Sequence, residues 1–175
     1  MSLRFFFTFL LLLAPLVLRA QREKLPPDDL AWVEKNFPNA KKSNTGIRYV
    51  EIEQGTGETA HRGDMVSVLY VGRLLDGQTF DQNSDKDHPF KFRVGRNQVI
   101  QGWDQILQLM RTGDKWLVII PPELAYGTRG SAPQIPGNST LVFTIQWVAI
   151  DLEYGRAGPR AAATIRRREC RGTGR

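Results

Sequence analysis

The chain has 175 residues, 41% hydrophobic and 24% charged, enough for one domain whose core needs no disulfide. Its formal charge of +6 is concentrated at one end: residues 155–175 hold seven of the 24 basic and one of the 18 acidic residues, leaving 17 of each sign elsewhere. A neutral body argues against nucleic acid as a partner, because a phosphate-binding fold carries Lys and Arg on its folded surface; the single Cys170, far from His61 and His88, excludes an intrachain disulfide and offers no metal-ligand spacing.

Residues 1–20 carry Arg4 and then an apolar run from Phe5 to Leu18, broken at Pro15 and short for a membrane span. This is the pattern of a secretory signal peptide. With cleavage after Ala20 it predicts export to a periplasm or an equivalent space, and no stable membrane insertion of the processed chain. Residues 21–44 read as a helical extension and linker. Asp28 or Asp29 is suited to cap a helix that Pro38 stops, and Leu30, Val33 and Phe37 form an apolar stripe expected to dock on the body.

From Ile47 the hydrophobic period becomes two. Strands are expected over 47–53, 65–74, 78–81, 88–95, 115–120 and 140–150, with Asp76-Gly77 as a hairpin turn and Phe90 and Phe92 on one face of their strand. Gly55 and Gly57 belong to a turn, since no Gly-Lys-Ser/Thr follows them to make a phosphate loop. Within 99–114 the period is helical: Trp103, Ile106, Leu107 and Met110 share a face, and Gly113 is suited to the left-handed residue that ends a helix. A lone amphipathic helix among strands needs a sheet to cover. Residues 121–139, rich in Pro and Gly, form a loop of the length that is usually functional. The tail over 154–175 has no apolar period and is expected to be a disordered, solvated, Arg-rich segment.

Six blocks then point to one family. Tyr70-Val71-Gly72, Asp76-Gly77-x-x-Phe80-Asp81, Pro89-Phe90-Lys91-Phe92, Val99-Ile100-x-Gly102-Trp103, Ile120-Pro121-Pro122-x-x-Ala125-Tyr126-Gly127 and Ile135-Pro136-x-x-x-Thr140-Leu141-Val142-Phe143 resemble the FKBP-type peptidyl-prolyl cis-trans isomerases in order and spacing. The resemblance covers roughly Thr45 to Asp151, within a domain taken as 45–153. It implies an α+β fold, a twisted antiparallel sheet wrapped around one short helix, with an apolar pocket between them.

By the same resemblance Trp103 is the pocket floor, Tyr70, Phe80, Tyr126 and Phe143 are catalytic walls, and Asp81 is the pocket carboxylate. Phe90, Val99, Ile100 and Ile135 are the implied substrate-binding residues. The implied partners are proline-containing polypeptides and the macrolides that inhibit this family; no cofactor or metal is implied. Ser131, Gln134 and Gly137 depart from the family pattern in the 121–139 loop, where they bear on ligand preference and loop stiffness.

The residue types suit this chemistry. Rotation of an X-Pro bond meets a barrier of roughly 18–20 kcal/mol set by imide conjugation, so no nucleophile is required. The twisted imide has lost that conjugation and is less polar at its carbonyl, so aromatic walls that strip water from the planar form favour it. A rate gain of about 10⁴-fold corresponds to about 5.5 kcal/mol. Asp81 is better suited to accept hydrogen bonds that hold the pocket edge than to transfer protons. A module that binds X-Pro peptides without turnover, or a chaperone using the Leu30, Val33, Phe37 stripe, are the competing classes; a hydrolase is disfavoured because neither histidine belongs to a nucleophile–base pattern.

Overall fold

The computed structural model describes residues 23–151; the expected signal peptide and the Arg-rich tail lie outside the described residues. In chain order the elements are helix α1 (Pro27–Asn36), strands β1 (Lys41–Lys42), β2 (Arg48–Glu53), β3 (Met65–Leu74), β4 (Thr79–Asn83) and β5 (Phe90–Arg93), helix α2 (Gln101–Ile106), β6 (Lys115–Ile120), a 3₁₀ turn at Pro122–Leu124, and β7 (Leu141–Asp151). All pairings are antiparallel, in the order β1-β2-β6-β7-β3-β4. Strand β3 pairs with β7 along one edge, while its other edge is shared: Met65 to Val68 face β5 and Tyr70 to Arg73 face β4. That division brings three aromatic-bearing strands together at Tyr70.

Alternation along β6 and β7 explains why helices cover the sheet on both sides. Trp116, Val118, Ile120, Leu141, Phe143, Ile145 and Trp147 enter the core cluster with Trp103, Ile106, Leu107 and Met110 of the α2 segment. The intervening Leu117, Ile119 and Val142 pack on the opposite side with Leu25, Leu30, Val33 and Phe37. The apolar stripe of the extension therefore docks on the outer face of the sheet, as its spacing predicts. Helix α2 lies close to the inner face at Gly102, where a Cβ would come within 2.5 Å of Ile120 Cγ2.

Four details differ from the expectations. Helix α2 stops at Ile106, because the Gln108 side-chain amide donates to the Asp104 carbonyl (2.5 Å) that the next helical N–H would take. The chain continues in tighter turns, Leu109 N–H to Ile106 O and Met110 N–H to Leu107 O, so Leu107 and Met110 stay fully buried without being helical. Gly113, at φ +99°, sits in the turn into β6 instead of ending the helix. In α1 neither Asp28 nor Asp29 is the cap: Pro26 holds that position, Pro27 opens the helix with its ready-made φ, and both carboxylates lie in the first turn. Finally, residues 41–42 add the edge strand β1, whose two lysines have no apolar period to announce it.

Glu23 ties the extension down. Its Oε1 accepts the backbone N–H groups of Lys24 and Leu25, and its Oε2 takes Lys42 Nζ at 2.8 Å and Arg48 Nη2 at 3.0 Å. Burial alone would raise its pKa, but the hydrogen bonds from Lys42, from the two backbone N–H groups and from Arg48 outweigh burial and hold it at about 2. A carboxylate depressed in the folded state contributes stability above its unfolded pKa of about 4.3, and that contribution is lost as pH falls toward the folded value. Glu23→Gln is expected to lose about 1–2 kcal/mol at neutral pH, the partial exposure of the site moderating the effect. In denaturant titrations the gap between variant and parent should shrink as pH is lowered from about 4.5 to about 2; a gap independent of pH would remove the ionic role.

Candidate active site

Between α2 and the inner face of the sheet lies a cavity of about 170 Å³ lined by Tyr70, Phe80, Asp81, Phe90, Gln98, Val99, Ile100, Trp103, Tyr126 and Phe143. Larger hollows exist. One of about 280 Å³ runs between residues 43–47 and the α2 segment, but none of its lining residues is ionisable or aromatic. What distinguishes the smaller cavity is its walls.

Trp103 is 4% exposed and forms the base. Tyr70 (5.0 Å between ring centroids, 85°), Phe143 (5.2 Å, 82°) and Phe90 (6.2 Å, 78°) meet it near-perpendicular, the arrangement that sets a positive ring edge against a negative face. Phe92 packs at 5.7 Å from the core side. The Trp103 Nε1 is buried with no hydrogen-bond partner among the described residues, so ring packing holds the indole in place. Phe80 stands at 89° to Phe143, 5.6 Å away, and this contact needs Gly72: a Cβ there would lie 2.7 Å from Phe80 Cζ and 2.8 Å from Phe143 Cε1.

The polar groups gather at one side. The Tyr70 hydroxyl donates to Asp81 Oδ2 at 2.7 Å, across the β3–β4 pairing that sets Gly72 opposite Asp81. Burial, then the hydrogen bond to Asp81 and its charge, push the Tyr70 pKa far up, and burial followed by the Asp81 charge raises that of Tyr126. Both phenols therefore keep their protons at neutral pH. The Tyr126 ring is 41% exposed, and no hydrogen bond to its hydroxyl is present among the described residues. Phe90, at 36%, is the other wall that faces outward.

Of the residues singled out from the sequence, the structure brings together Tyr70, Phe80, Asp81, Phe90, Val99, Ile100, Trp103, Tyr126 and Phe143. It does not bring Ile135 to the cavity. That side chain is 5% exposed within the core cluster, and its backbone closes a two-way bridge with Ser131 at 2.8 Å. Gln98 lines the cavity and was not apparent in the sequence, because it lies in an irregular stretch with no period. Asp104 was also missed as a support: its Oδ1 accepts Gly95 N–H (2.8 Å) and its Oδ2 accepts Asn97 N–H (3.1 Å), fixing the turn that delivers Gln98, Val99 and Ile100. The available signal was a carboxylate three residues before Leu107, on the buried side of the helix. At Gly137, which departs from the family pattern, a Cβ would fall 2.1 Å from the Thr128 carbonyl oxygen, so the path of the loop admits no side chain there.

Among the described residues no cluster of His, Cys, Asp and Glu could hold a metal ion, and no helix is long and apolar enough to cross a membrane.

Comparison with known proteins gives a consistent result. Residues 56–148 match the model of the FKBP-type peptidyl-prolyl cis-trans isomerase family. The chain is 43% identical over 90 residues to FK506-binding protein 1A of Aspergillus fumigatus, covering 51% of this chain and 80% of that one. It is 38% identical over 139 residues to the FKBP-type 22 kDa peptidyl-prolyl cis-trans isomerase of Escherichia coli, covering 78% and 66%. A solved peptidyl-prolyl cis-trans isomerase from Pseudomonas syringae superposes with a TM-score of 0.64 at 38% identity, over 71% of this chain and 92% of that one.

Proposed function

The chain belongs to the FKBP-type peptidyl-prolyl cis-trans isomerases, and on that premise we propose that X-Pro bonds rotate in the aromatic cavity above Trp103. The observation that carries this reading is the wall of near-perpendicular rings: it offers a proline ring an apolar seat and leaves few groups to hydrate the imide. Removing water disfavours the charge-separated planar imide more than the twisted one, which is the direction catalysis requires. Tyr126, with its hydroxyl uncommitted and its ring at the mouth, is placed to donate to a substrate carbonyl and hold one side of the rotating bond. Asp81 accepts from Tyr70 and so keeps that wall upright. Gln98, Val99, Ile100 and Phe90 flank the seat and would contact the residues on either side of proline. Macrolides of the kind that inhibit this family would occupy the same cavity, in line with the name of the Aspergillus relative.

We further propose that the substrates are exported chains. The support is the N-terminal sequence, Arg4 followed by the apolar run to Leu18 and a small residue at Ala20. Mass spectrometry of the mature protein should find a chain beginning after Ala20 in a fraction outside the cytoplasm; an intact Met1 in a soluble cytosolic fraction would overturn this.

The catalytic reading is tested by separating wall from core. Phe143, 4% exposed, is expected to cost about 3–5 kcal/mol of stability when cut to Ala. Tyr126→Phe should stay within about 1 kcal/mol of the parent, because only a partly exposed hydroxyl is lost. On a peptide with a bulky apolar residue before proline, Tyr126→Phe and Phe80→Ala should both lower kcat/KM, by about tenfold or more for Phe80→Ala, equivalent to about 1.4 kcal/mol of transition-state stabilisation. Parental kcat/KM in both variants would refute the assignment of the cavity.

A further inference from the structure

The N-terminal extension touches both ends of the loop that carries Tyr126. At the far end, Asp29 in the first turn of α1 accepts the Thr140 hydroxyl at 2.5 Å, a contact between residues 111 positions apart. Thr140 is 2% exposed and immediately precedes β7. At the near end, Lys24 Nζ lies 3.8 Å from Glu123 in the 3₁₀ turn Pro122–Leu124. The two contacts are unequal. The Lys24–Glu123 pair is long and solvent-exposed on the Glu side, the kind that contributes little, whereas the Asp29 contact is a short, charge-assisted bond to a buried hydroxyl.

Both ends converge on one residue. Gly127, which follows Tyr126, donates its N–H to Pro122 O at 2.8 Å, and its own carbonyl accepts Asn138 N–H at 2.8 Å. Asn138 is two residues before Thr140 and is held at φ +59°, a conformation with little room to adjust. Ser139 Oγ adds a bond to Pro136 O at 2.8 Å, and Gly137 packs against the Thr128 carbonyl. A shift of the backbone at Thr140 is therefore passed through Asn138 to Gly127 and to the ring beside it.

We propose that Asp29 is a positioning residue for isomerisation: through Thr140 and Asn138 it fixes the backbone at Gly127 and so sets where the Tyr126 wall stands. This deepens, and rests on, the reading of the aromatic cavity as the isomerisation site. It gives the extension a role in turnover beyond covering Ile119 and Val142.

The test uses the full chain with Asp29→Ala, Thr140→Val, the double variant, and Asp29→Asn, which keeps an acceptor oxygen for the hydroxyl. Asp29 is partly exposed, so its variants remain informative if the buried Thr140→Val fails to fold. Two readouts are taken well below the unfolding transition: kcat/KM on X-Pro peptides, and hydrogen exchange at the Gly127 and Asn138 amides, which reports the loop whatever the cavity's activity. Asp29→Ala is expected to lower kcat/KM about tenfold, the loss a charge-assisted hydrogen bond can account for. It should also speed exchange at Gly127 and Asn138 while Val118 in β6 is unchanged. The double variant should lose no more than the larger single loss, and Asp29→Asn should recover most of it. Parental kcat/KM in Asp29→Ala overturns the proposal, whether or not exchange changes, and so does a loss of activity with unchanged exchange at both amides. A parent that exchanges as described but has no activity on any X-Pro peptide would instead count against the cavity as the isomerisation site.

Discussion

Trp103 can serve as a floor only because its helix lies almost on the sheet, and that closeness is a steric constraint at Gly102. Any side chain there would run into Ile120 and lift α2, opening the contacts that Tyr70, Phe143 and Phe90 make with the indole. Gly72 imposes the same condition from the sheet side, letting Phe80 and Phe143 meet over bare backbone. The cavity is thus a gap left between tightly packed rings, and its shape follows from two positions where the chain has no Cβ. Close-packed interiors deform little, so such a gap keeps its shape.

Buried carboxylates that receive backbone N–H groups fix several of the loops between the strands and α2. Asp104 holds Gly95 and Asn97 ahead of α2; Asp114, 3% exposed, takes Gly55 N–H and Arg111 N–H at 2.6 Å each, joining the turn after β2 to the turn before β6. Each satisfies loop donors that would otherwise be stranded where water is scarce. The stretch that delivers Gln98, Val99 and Ile100 is irregular, yet it is held by the Asp104 side chain. Asp81 differs from these: it is exposed, and its partner is a phenol on the wall itself.

The strands were legible because the alternation of residues such as Leu141, Phe143, Ile145 and Trp147, which share the inner face of the sheet, is plain in the sequence. The docking of α1 was legible for the same reason, a stripe at helical spacing. The early end of α2 was not, since Leu107 and Met110 keep the helical spacing while a side chain, Gln108, replaces the backbone donor. Nine of the ten proposed site residues meet at the cavity; Ile135 does not, because its place depends on how the 121–139 loop folds back on Ser131, a long-range matter that no local period encodes. Gln98 and the Asp29–Thr140 contact were hidden for a related reason. Polar residues that act through geometry between distant segments leave no periodic trace.

On the function proposed above, an aromatic floor fixed by its neighbours lowers the barrier to X-Pro rotation. The measurement closest to it is the cis/trans exchange rate of a Leu-Pro peptide, followed by NMR at equilibrium, with the parent and with Trp103→Leu, which keeps an apolar floor but loses the ring. Trp103→Leu should fold, shown by retained dispersion of the β3 and β7 amides, and its catalysed exchange should fall by about tenfold or more. A folded Trp103→Leu protein that exchanges the peptide at the parental rate would contradict it.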